Sequence, residues 1–131
     1  MNNTLVMRGN GGFRQRASVL ALAIALLILL PRAAFAHAVL VKSSPAQGAT
    51  VKAGDVDITL TYNSRIDALH SSLQLVGSDG KAHTLAVDAH AAPNLLVAKA
   101  TALTAGAYKL EWQVMATDGH ITRGVVMFRA G

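Results

Sequence analysis

Apolar residues recur at every second position in two stretches of this chain, and that period decides its fold class. Between Asp55 and Tyr62, the residues Val56, Ile58, Leu60 and Tyr62 fall on one side and Asp55, Asp57, Thr59 and Thr61 on the other. Between Ala107 and Met115, Tyr108, Leu110, Trp112 and Val114 alternate with Lys109, Glu111 and Gln113. Side chains that point to opposite faces in turn are those of a β-strand with one solvated face. Shorter apolar stretches at Ala38–Lys42, Ser71–Val76, Leu85–Val87, Leu95–Lys99 and Ile121–Arg129 predict further strands. Turn formers separate them, among them Ser44-Pro45, Gly48, Gly54, Ser78-Asp79-Gly80, Pro93-Asn94, Gly106 and Asp118-Gly119. No stretch after residue 36 carries an apolar period of 3.6 over helical length. About seven short strands in one small domain predict an all-β fold: a seven-stranded Greek-key sandwich or barrel of immunoglobulin-like shape, with Trp112 in its core.

Residues 1–36 read as an export leader and residues 37–131 as the domain. Arg8, Arg14 and Arg16 give a positive start, and Val19–Leu30 is an unbroken run of 12 apolar residues. That length suits a signal peptide (about 7–15) and falls short of the roughly 20 apolar residues of a membrane span. Ala34-Phe35-Ala36 supplies the small-x-small pattern for cleavage after Ala36. Translation from Met1 or from Met7 gives the same mature chain.

The leader also accounts for the charge. The chain carries 12 basic and 7 acidic residues, a net +5. Four of the arginines lie in the leader and all the acids follow it, so the mature chain has eight basic and seven acidic residues, net +1. That balance argues against nucleic acid or an anionic membrane surface as a partner. The mature domain is expected to be soluble and monomeric. It has no cysteine, so a small exported domain must hold together by packing, with help from any bound metal.

Of the five histidines, His70, His83 and His90 stand singly near turns or strand ends among small or polar residues and read as solvated. His37 differs because cleavage after Ala36 would make it the first residue. Its free α-amine, which titrates near pH 7.7–8.0 in general (about 7.7), and its imidazole can then close a chelate ring on one metal. On its own, His37 is equally well the residue that happens to follow the cut. Asp118 and His120 are two apart, which in extended backbone turns both side chains the same way, and Gly119 lets the chain bend between them. On its own this segment reads equally as an ordinary Asp-Gly turn. Together, one carboxylate and the nitrogens of two histidines form a nitrogen and oxygen donor set that suits Cu(II).

The opening His37-Ala-Val-Leu, the Ser44-Pro45-Ala46-x-Gly48 segment and the closing Trp112-x-Val-Met-Ala-x-Asp118-Gly-His120-x-x-x-Gly124-x-x-x-Phe128 resemble the CopC family of periplasmic copper-binding proteins. The resemblance spans essentially the whole mature domain. It implies a Greek-key β-barrel or sandwich and one Cu(II) ion held by His37, Asp118 and His120. It also implies a periplasmic role in copper resistance, or in delivery to an inner-membrane copper transporter. This chain departs from the family pattern twice. The methionine-rich loop that binds Cu(I) in some members is missing, since only Met115 and Met127 follow the leader; Met115 is expected to pack or lie at the surface. Where many relatives carry a glutamate after an aromatic residue in the second strand, the corresponding stretch here is Tyr62-Asn63-Ser64-Arg65-Ile66, with Ser64 in its place.

Two other functions fit parts of the pattern. A terminal histidine paired with a second histidine also suits a copper-dependent oxidative enzyme. The few aromatics that follow the leader (Tyr62, Tyr108, Trp112 and Phe128) mostly alternate inward, however, which leaves no aromatic platform for a polymer. A metal-free immunoglobulin-like interaction module is the third. A binding protein, not an enzyme, is the expectation.

Overall fold

The computed structural model describes residues 37–131; the predicted leader and its cleavage point after Ala36 lie outside the described residues. Among the described residues there are eight strands and no helix: β1 (Leu40–Ser44), β2 (Thr50–Val51), β3 (Gly54–Tyr62), β4 (Ile66–Val76), β5 (Ala82–Leu85), β6 (Leu95–Leu103), β7 (Gly106–Ala116) and β8 (Ile121–Ala130). They form a Greek-key sandwich of two sheets, ordered β1-β3-β6 and β2-β8-β7-β4-β5. The two strongly alternating stretches become β3 and β7, each flanked by neighbours on both sides.

Alternation also sets the core. Ile58, Leu60 and Tyr62 from β3 face Leu110, Trp112 and Val114 from β7, and all are buried. The edge of the Trp112 indole meets the Tyr62 ring at 5.5 Å between centroids and 72° between planes. Burying a side chain of the Leu, Ile or Val class contributes about 1.5–3 kcal/mol. A row of such positions therefore stabilises a domain with no disulfide.

Three elements differ from the sequence expectation. The eighth strand, Thr50–Val51, is too short to carry any pattern. It exists because backbone bonds tie its neighbourhood to β8, among them Gly48 N to Met127 O (2.7 Å) and Arg129 N to Ala49 O (2.9 Å). Strand β4 begins at Ile66 rather than Ser71, because its first part bulges: the register against β7 shifts between Asp67 and Ser72. Strand β5 is Ala82–Leu85, and Val87 makes only an isolated bridge to Ala98.

These connections bring three segments to one end of the sandwich. The chain start at His37–Val39 lies against the β3–β4 connection through Asn63. The rings of His37 and His120 meet, which places the β7–β8 turn at the same end.

Candidate metal centre

The segment after His37 is fixed by the fold. Ala38 is completely buried, at 0% exposure. The Val39 N–H donates to Asn63 Oδ1 (2.8 Å), and the Val39 carbonyl accepts from the Asn63 N–H (3.0 Å). Leu40 then enters the ladder opposite Tyr62. With the next three residues held in this way, His37 is confined to the rim. Its ring centroid lies 5.0 Å from that of His120, with the planes inclined by 49°.

The β7–β8 turn positions the other two residues. The Ala116 N–H donates to the His120 carbonyl (2.8 Å) and the Gly119 N–H to the Ala116 carbonyl (2.9 Å). Gly119 has φ +89°, a left-handed conformation in which a side chain is strained. Asp118 turns back on the segment it precedes. Its Oδ1 accepts from the His120 backbone N–H (3.0 Å), and its Oδ2 lies 2.9 Å from His120 Nδ1. The backbone N–H of His120, helped by its ring, holds the Asp118 carboxyl below the usual carboxylate range, against a smaller opposing effect of desolvation.

This contact has a chemical consequence. A carboxylate accepts hydrogen bonds, so it fixes the proton of a neutral His120 ring on Nδ1 and leaves the Nε2 lone pair free. The same support orients metal-bound histidines in general. The structure thus brings His37 and His120 together and places Asp118 behind the His120 ring. Among the described residues, no three His, Asp or Glu side chains already converge on one point. In the chain as it stands, His37 N is an amide bonded to Ala36 rather than an amine.

A second carboxylate–imidazole pair was not anticipated. Asp67 Oδ2 lies 2.7 Å from His70 Nδ1, within the β4 bulge. The sequence signal was an aspartate three residues before a histidine, which has no meaning in a regular strand and acquires one only when the strand bulges. Ser64 has a buried hydroxyl with no hydrogen-bond partner among the described residues.

The CopC domain family matches residues 40–131. The chain belongs to the CopC family. Among the CopC relatives, the copper resistance protein C of Xanthomonas campestris pv. juglandis is 32% identical over 107 residues, which cover 76% of this chain and 84% of that protein. The copper transport protein CutJ of Bacillus subtilis is 28% identical over 110 residues, 80% of this chain. That stretch is only 20% of CutJ, so this chain spans about one-fifth of that relative's length. Among solved structures, CopC from Methylosinus trichosporium OB3b superimposes with a TM-score of 0.65 at 28% identity, covering 72% of this chain and 93% of that one. The first two of these proteins are named for copper resistance and copper transport.

Proposed function

We propose that the mature protein begins at His37 and binds a single Cu(II) ion in the periplasm, as a copper carrier or buffer and not as an enzyme. The α-amine and imidazole of His37, the imidazole of His120 and the carboxylate of Asp118 form the ligand set. The observation that carries this reading is the 5.0 Å approach of the His37 and His120 rings, with the residue after His37 locked in the core. Cleavage after Ala36 frees one more nitrogen beside those rings. The Asp118 carboxylate, which lies against the His120 ring in the metal-free structure, turns from it onto the ion.

A binding role is further supported by the aromatic residues. Tyr62, Trp112 and Phe128 are buried. Tyr108 stacks on Phe128 at 5.6 Å and donates its hydroxyl to the Thr104 carbonyl (2.9 Å). None is left as an exposed platform for a polymeric substrate. The partner we infer is an inner-membrane copper transporter. The inference draws support from CutJ, in which a stretch similar to this domain is one-fifth of a longer protein named for copper transport.

The test is a copper titration of protein beginning at His37, read by electron paramagnetic resonance, beside the same protein with one residue added before His37. The native terminus should bind one Cu(II) with a nitrogen-rich spectrum, and the added residue should weaken binding and change that spectrum. Equal affinity and identical spectra would overturn the chelate.

A further inference from the structure

We propose that the outward face of β8 rests on an anionic phospholipid surface and so holds the copper end of the domain against the bilayer. The inference takes its periplasmic setting from the copper-carrier reading; its geometry does not depend on copper. A strand with one solvated face turns polar side chains outward. Strand β3 does so, with Asp55, Asp57, Thr59 and Thr61. Strand β8 does not. Its inward residues Val126, Phe128 and Ala130 are buried, and the residues that alternate with them are Ile121, Arg123, Val125, Met127 and Arg129, all exposed. Each of these five is apolar or cationic. Ile121, Val125 and Met127 keep 43%, 48% and 47% of their surface in water. One exposed apolar residue needs no explanation, but three on one side of one strand make a stripe.

Charge follows the same line. The net +1 that argued against an anionic surface is a sum over charges that the fold sorts by face. Lys81, Lys99 and Lys109 each stand within 4.0 Å of a carboxylate, on Asp79, Asp55 and Glu111. Arg123 and Arg129 pair with no carboxylate among the described residues. Arg123 Nε donates to Gln113 Oε1 (2.7 Å), which steadies its guanidinium on the sheet. Lys52, also exposed and unpaired among the described residues, extends the row just past β2, whose Thr50 lies opposite Arg129. Across β7 and β8 the one outward carboxylate among the described residues is Glu111, opposite Val125 and held by Lys109.

This pattern selects the occupant. A second copy would bring the same cations and be repelled. Arg123 and Arg129 stand about 20 Å apart along the strand, at about 3.4 Å per residue, so they make no compact cluster to grip a single acidic side chain. A bilayer offers phosphates along the whole row. Arginine lays its stem on apolar surface and keeps its head at the phosphates, while the side chains between reach the acyl boundary, the composition of an interfacial face. Three cations and three half-exposed apolar residues give reversible docking, not anchoring. Ile121 follows His120, so the stripe starts at the proposed copper centre. A domain lying on β8 presents that centre at the membrane surface, where an inner-membrane acceptor would meet it.

The test is co-sedimentation of metal-free mature protein with vesicles of phosphatidylglycerol and phosphatidylcholine, and with vesicles of phosphatidylcholine alone. We expect binding to the first only. It should fall as salt rises from about 0.01 M to 0.15 M, which shortens the screening length from about 30 Å to about 8 Å. Arg123→Ala and Arg129→Ala should each weaken it about fivefold and keep the wild-type Cu(II) spectrum, whereas Lys81→Ala should change it by less than about twofold. The chain has no cysteine, so a polarity-sensitive dye on Met127→Cys reports from one place. Its emission should shift to the blue on the anionic vesicles, and the same dye on Thr61→Cys, on the opposite sheet, should not move. No binding at low salt, or equal blue shifts at both positions, overturns the proposal. Binding to polyglutamate with none to the anionic vesicles also overturns it and gives the face to an acidic protein segment. Failure of the Cu(II) titration would leave the vesicle result standing, because the protein in that assay carries no metal.

Discussion

The indole of Trp112 occupies the space that a side chain at Gly124 would need. A Cβ built on Gly124 would stand 2.3 Å from Trp112 Cζ2 and 2.6 Å from Cε2. The two residues are directly opposed in the β7–β8 ladder, so neither backbone can yield without breaking the longest pairing in the domain. Overpacking of a tight core costs about 1–3 kcal/mol. Gly124→Ala should lose that much stability in urea unfolding. Its Cu(II) affinity should hold, because the change sits in the core and not in the turn.

Asn63 should matter to copper without touching it. Its side-chain oxygen takes the Val39 N–H and so pins the segment that carries His37. Removing one such bond costs about 0.5–1.5 kcal/mol. Asn63→Ala is expected to weaken Cu(II) binding by a few-fold up to about tenfold, since RT makes 1.4 kcal/mol a factor of ten. The spectrum of the bound ion should stay the same. Hydrogen exchange at Ala38–Leu40 should quicken in the variant, which a loss of ligand would not cause.

Tyr62 predicts an alkaline weakness. Burial pushes its phenol well above the ordinary range near 10, and the hydroxyl has no hydrogen-bond partner among the described residues. A raised folded-state value means that the neutral form is favoured in the fold. The resulting stability is whole below the unfolded-chain value of about 10 and falls as pH climbs past it. Tyr62→Phe should be neutral or slightly stabilising at pH 7, because an unpaired buried hydroxyl is removed. Chemical denaturation above about pH 10 should show the wild type losing stability faster than the variant.

Asp118 makes opposite demands at acid pH. Its folded-state value is depressed, so the stability it lends is present above the ordinary carboxylate value and is lost as pH falls through the lower, folded one. Melting of metal-free protein should show wild type above Asp118→Asn near neutrality, with the gap closing below about pH 4. Copper binding near neutral pH should depend on protons through the freed α-amine, which titrates at about 7.7–8.0 in general, and not through Asp118. Affinity should therefore rise with pH up to that range. Asp118→Asn should lower the whole curve while keeping its slope.

The strands were legible where local pattern and burial agree. Val56 to Tyr62 and Tyr108 to Val114 alternate in sequence, and the residues of β3 lie inward as expected, with Tyr108 only half-buried at the end of β7. The Asp67–Ser71 bulge was not legible, because its residues are polar and small and its shape is set by contacts to Met115 and to the Asp67 side chain. Thr50–Val51 was not legible either, since two residues carry no period and the strand is made by β8. At the site, His37 and His120 were visible as residue types, and their meeting required the chain start to return to the last turn. The grip of Asp118 on the His120 ring was invisible in the spacing, which suits a turn and a ligand pair equally well.

Ala38 is sealed inside the sandwich, one residue past the proposed first residue of the mature chain. A protease that reads the segment around Ala36 must take several residues in extended form on both sides of the bond it cuts, and a residue locked in the core cannot be lent to it. If the leader is cut after Ala36, as proposed, it must come off before Ala38 is sealed. On that reading folding closes over the new terminus, and a molecule that folded first would keep its leader and lack the amine.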